Sequence, residues 1–96
     1  MGIHVLSLVT EPMSLADAVL GEIFFVSHVV APPGAPEWAQ QLADIGFIAG
    51  ERVALMARGV PGGDPLVVRV GLSTFALRLA EAACVHLASP DTETAR

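Results

Sequence analysis

The sequence has no lysine and no tyrosine, a single tryptophan and a single cysteine. Its cations are five scattered arginines, Arg52, Arg58, Arg69, Arg78 and Arg96, against ten acidic residues, for a net charge of −5. A nucleic-acid binder needs a basic stripe to displace counterions from phosphates, and this chain has none. The same deficit argues against an anionic membrane surface. Without lysine there is no Walker A phosphate loop. The lone cysteine, Cys84, excludes an internal disulfide and fits a reducing compartment. No stretch reaches the ~20 apolar residues of a membrane span. The opening MGIHVLSLVTEPM lacks the basic n-region and cleavage site of a signal peptide. The expected location is the cytoplasm, with no direct membrane insertion and no nucleic-acid partner.

What the chain has in excess is apolar surface. Hydrophobic residues make up 53 % and charged ones 16 %, against about 45–50 % and about 25 % in typical domains. Ninety-six residues support one domain with one modest core. So small a core does not hide all of these side chains, and the surplus implies an exposed patch. Its expected users are a partner protein or a second copy of the chain.

The pattern along the chain is mainly β. IHVLSLV (3–9) reads as an edge strand or an added N-terminal segment. Ser14 is placed to cap a one-turn helix from Leu15 to Val19, with Asp17 completing a capping box. EIFFVSHVVA (22–31) is strand-like, and PPGAP (32–36) is a loop. EWAQQLADIGF carries Trp38, Leu42 and Ile45 at helical spacing. Gly46 suits a left-handed C′ position, with Phe47 reaching back to Leu42 in a Schellman motif.

In ERVALMARGV, Val53, Leu55 and Ala57 alternate with Ala54, Met56 and Arg58. PGGDP (61–65) is a turn. In PLVVRVG, Leu66, Val68 and Val70 alternate with Val67 and Arg69. These two strands form a hairpin. STFALR (73–78), a helical turn at LAEAA and a strand at CVHLA (84–88) follow, and SPDTETAR is a polar tail. The domain expected is 14–88, with an N-terminal extension (1–13) and a flexible tail (89–96). About five short strands and short helices predict a small, partly open β-barrel.

Catalytic signatures are absent: there is no G-x-S-x-G elbow and no H-E-x-x-H. Glu37, Asp44, Glu51 and Glu81 stand at element ends, where carboxylates cap or are solvated. Trp38 reads as a core anchor. His4, His28 and His86 are far apart in sequence. Cys84 and His86 share a strand face by spacing, but a structural zinc site needs four ligands. The metal candidates are therefore His28, Cys84 and His86, for weak surface zinc or ferrous iron, with no required cofactor. The partner-binding candidates are the outward residues of the central hairpin, Met56, Arg58, Val67 and Arg69, an apolar centre with an arginine rim.

The order and spacing of several short motifs resemble the ferrous iron transport protein A family. They are Leu42, Ile45, Gly46, Phe47, Gly50 and Val53, then the turn Pro61, Gly63, Asp64 and Pro65, then Gly71, Ala76, Leu77, Arg78, Glu81 and Ala82. SLADAVLGE, with Gly21, matches the family's opening. The resemblance spans about residues 14 to 88. It implies an SH3-like β-barrel and a non-catalytic accessory role in bacterial ferrous iron uptake. It also implies binding to the cytoplasmic GTPase part of the membrane ferrous iron permease, which would recruit the protein to the inner membrane. Gln40 and Gln41 stand where the family often has basic residues. The same barrel occurs as the C-terminal domain of iron-dependent repressors, so a regulatory binding module is the alternative.

Overall fold

A computed structural model describes residues 14–60 and 62–88. The readings for 1–13, Pro61 and 89–96, His4 among them, lie outside the described residues.

Five strands form one antiparallel sheet: β1 (Ile23–Val29), β2 (Arg52–Arg58), β3 (Leu66–Val70), β4 (Ser73–Leu77) and β5 (Val85–Ala88). The sheet order is β4-β3-β2-β1-β5. The first four strands are a meander. The last crosses back to pair with β1, and a short helix, α2 (Leu79–Ala82), makes the crossing. A longer helix, α1 (Glu37–Asp44), links β1 to β2. This is the mainly β architecture the pattern predicts, and it agrees with the SH3-like fold that the resemblance implies.

The inner face of the sheet carries the core. Phe24, Val53 and Val70 lie in one cross-strand row, and Leu55, Val68 and Phe75 in another. Leu15, Leu42, Phe47, Ala82 and Val85 close over them. Fully burying a side chain such as Phe47, which is 1 % exposed, contributes about 1.5–3 kcal/mol.

The end of α1 is the Schellman motif the sequence predicts. The Phe47 amide donates to the Leu42 carbonyl at 3.0 Å and the Gly46 amide to that of Ala43 at 3.0 Å. Gly46 has φ +120°, and both Leu42 and Phe47 enter the core. The two capping hydrogen bonds and the left-handed glycine together stop the helix and send the chain into β2.

Several expected boundaries shift. The first helix is a 3₁₀ turn, Leu15–Asp17. Ser14 caps it by accepting from the Ala16 amide at 3.2 Å, while Asp17 takes the Ser14 hydroxyl rather than the backbone amide of a capping box. β1 ends at Val29, before the prolines, and β5 begins at Val85.

The larger correction is in the hairpin. Leu55 pairs with Val68, but Ala57 pairs with Val67, so Met56 is an extra residue in β2. This β-bulge reverses the alternation beyond it. Ala57, expected inside, is exposed. Arg58 falls opposite the buried Leu66 rather than on the face of Val67 and Arg69.

Candidate functional site

The outer face of the sheet is the most distinctive surface of the molecule. Ile23, Ala54, Arg69 and Thr74 form one row across four strands, and Phe25 and Arg52 are neighbours in the next. Gly71 takes φ +58° in the two-residue turn between β3 and β4, which lifts Leu72 out of the sheet. Leu72 is 92 % exposed. Ile23, Arg52, Arg69 and Leu72 line a shallow groove of about 210 Å³ over Val53 and Ala54. Met56 is half-exposed and Val67 partly so. Apolar side chains beside two guanidinium groups make an interface-like surface on an acidic protein.

Of the four hairpin residues expected to share a surface, Val67 and Arg69 lie on this face and Met56 sits at the bulge. Arg58 does not join them. Its guanidinium donates to the carbonyls of Ala16 at 3.0 Å and Ala18 at 3.2 Å, tying β2 to the 3₁₀ turn. Alternation alone missed Ile23, Arg52 and Leu72. The signal for Leu72 is the Gly-Leu pair between two strand patterns, where a two-residue hairpin turn exposes its second side chain.

The metal candidates divide differently. β1 pairs with β5 so that His28 stands directly opposite His86. Their rings stack, with centroids 4.6 Å apart and planes 9° from parallel. Cys84 precedes β5 and is buried, its thiol donating to the Ala80 carbonyl at 3.4 Å. Burial pushes that thiol up from its ordinary pKa, with Glu81 adding to the effect. Cys84 and His86 do line one apolar cleft, with Val30, Pro33 and Trp38. Trp38 is half-buried against the core.

A resident metal of the closed, four-ligand kind does not fit. Among the described residues no three His, Cys, Asp or Glu side chains converge. Ser27 Oγ lies 3.0 Å from His28 Nδ1, a hydroxyl–imidazole contact between sequence neighbours. Among the described residues no third group hydrogen-bonds to that ring, as the orienting partner of a catalytic base would. Two of the carboxylates serve structure: Asp44 accepts from Gln40 at 2.7 Å, and Glu81 from the Arg78 amide at 2.8 Å.

Comparison with known proteins gives a consistent picture. The model of the FeoA domain family matches residues 13–88. The FeoA protein of Stenotrophomonas maltophilia, crystallised with zinc, is described as a prokaryotic SH3 domain protein and a candidate ferrous iron transport activating factor. It is 36 % identical, with a TM-score of 0.72 over 80 % of this chain and 91 % of its own. The FeoA protein of Chlorobium tepidum is 26 % identical, with a TM-score of 0.67 over 81 % of this chain and 70 % of its own. A manganese-dependent transcriptional repressor shares the fold, at 22 % identity and a TM-score of 0.67 over 83 % of this chain and 43 % of its own. No curated protein matches the chain in sequence. No helix among the described residues is long and apolar enough to cross a membrane.

Proposed function

We propose, from the premise that this chain belongs to the FeoA domain family, that it is a non-catalytic accessory factor of bacterial ferrous iron uptake. It acts in the cytoplasm by binding the GTPase part of the membrane ferrous iron permease, and that contact brings it to the inner membrane. The observation that carries this reading is the outer sheet face, where Ile23, Leu72, Met56 and Val67 present apolar surface beside Arg52 and Arg69.

Ferrous iron is cargo for the permease in this scheme, and the accessory chain holds no required cofactor. Its leverage is binding energy. A factor that binds one state of the permease more tightly than another shifts the balance between them by that difference. A charged rim also speeds encounter with an acidic surface.

The test is a binding titration between the full chain and the permease's cytoplasmic domain. We expect saturable binding that Met56→Asp with Val67→Asp weakens at least tenfold. Absence of binding, or binding indifferent to those changes, overturns the assignment. A regulatory module like the C-terminal domain of metal-dependent repressors is a second reading, favoured by the shared fold alone. It predicts capture of a separate DNA-binding chain instead.

A further inference from the structure

We propose that His28 and His86 form a two-imidazole site for a divalent transition metal of the zinc, nickel and copper class. This goes beyond the docking role and does not depend on it.

The backbone builds the pair. Val26 pairs with Leu87 and His28 with His86, so Ser27 is an extra residue in β1. Without that bulge Ser27 would face His86, and His28 would lie one position along. Residues directly opposite in an antiparallel pair hold their Cβ atoms about 4.5–5.5 Å apart, within reach of one ion for two imidazoles. The ring centroids stand 4.6 Å apart. Two nitrogens on one tetrahedral zinc, each at about 2.0–2.1 Å, are about 3.4 Å apart. The stacked rings lie 9° from parallel, so their in-plane lone pairs do not converge as they stand. Rotation of the exposed His28 is what turns its Nε2 toward the same point as that of His86.

The surroundings leave a ring nitrogen of His28 free for a metal. Ser27 Oγ lies 3.0 Å from Nδ1 of His28. In the tautomer whose Nδ1–H donates to that hydroxyl, Nε2 is left as the lone-pair nitrogen. Outer-shell partners orient metal-bound histidines in this way. No third His, Cys, Asp or Glu joins the pair among the described residues. Among the described residues the pair thus offers two ligands, and water or a group from another molecule fills the remaining positions. Cys84 shares the cleft with His86, but its buried thiol is engaged with Ala80 and takes no part. Imidazole ligands of this kind rank copper and zinc above ferrous iron. The site thus takes the competitors of iron in preference to iron.

The experiment is a calorimetric titration of the full, metal-free chain with zinc chloride at neutral pH. Imidazole nitrogen resonances are followed by NMR in parallel. We expect one zinc per pair of histidines, with Nε2 of His28 and His86 shifting together. His28→Gln and His86→Gln should each weaken binding at least tenfold, and Cys84→Ser should leave it unchanged. Ferrous iron, titrated anaerobically, should bind more weakly than zinc. Unchanged affinity in either histidine variant overturns the proposal. So does a shift confined to one ring, or ferrous iron binding more tightly than zinc. The resonances of the unsubstituted chain give the answer even where a variant does not fold.

Discussion

The carboxylate of Asp64 accepts a hydrogen bond from the backbone amide of Leu79 at 3.0 Å, so the loop between β2 and β3 caps a helix fifteen residues further along. Leu79 opens α2, and its amide has no partner within the helix. The loop is itself held close. Gly59 accepts from the Gly63 amide at 2.9 Å and donates to the Pro65 carbonyl at 2.8 Å. A Cβ on Gly59 would stand 2.7 Å from the Asp64 backbone. The cap thus depends on glycine at a place where only glycine fits. Asp64→Ala should lower stability by about 1 kcal/mol, in the range of lost helix caps. Asp64→Asn, which keeps an acceptor, should lose less. The midpoint of urea unfolding reads both.

Gly46 offers a cleaner backbone test. A Cβ added there meets Val70 at 3.5 Å, an ordinary contact, so crowding is not the obstacle. The obstacle is φ +120°. Gly46→Val should cost on the order of 1–2 kcal/mol or more, because a β-branched side chain resists the left-handed region. Gly34 lies in open space without a positive φ. Gly34→Ala should change stability by no more than about 0.5 kcal/mol. Thermal melts of the two variants give the comparison.

Cys84 supplies a pH dependence. Burial, with Glu81 beside it, raises the thiol pKa above its ordinary value. The folded state therefore keeps its proton where the unfolded state has lost it. Unfolding then releases a proton, and stability falls as pH rises above the ordinary thiol range. Below that range both states are protonated and the effect vanishes. In Cys84→Ser this alkaline loss should shrink. Native Cys84 should also alkylate far more slowly at pH 8 than the same thiol in denaturant. Stability curves against pH and iodoacetamide labelling rates measure the two effects.

Local signals were legible in the sequence, and nonlocal ones were not. The Schellman stop at Gly46 needs residues within one turn, and the sequence displays them all. The hairpin is equally local. The bulges at Met56 and Ser27 are invisible, because an extra residue is defined only against the partner strand. The pairing of His28 with His86 depends on β5 returning to β1 across most of the chain, which spacing does not reveal. Period-two reasoning therefore put Ala57 inside and set Arg58 beside Arg69, and both placements fail beyond the bulge.

That failure separates two arginines that alternation treats as equivalent. Arg58 spends its guanidinium on the Ala16 and Ala18 carbonyls, across a gap of forty residues and more in sequence. Arg69 lies on the outer face, in the row with Ile23 and Ala54, and lines the groove. Arg58→Ala should cost stability, about 1 kcal/mol for charge-assisted bonds at an exposed site, and should leave affinity for the permease's cytoplasmic domain within about twofold once the variant is folded. Arg58→Lys should recover only part of the loss, since both bonds come from the planar, preorganised Nη2, and an ammonium is more strongly hydrated and less preorganised. Arg69→Glu should do the reverse, keeping the unfolding midpoint while slowing association and making it less sensitive to salt. Unfolding curves and stopped-flow association at two ionic strengths distinguish the two residues. If Arg58→Ala weakens binding without loss of stability, Arg58 belongs to the docking surface after all.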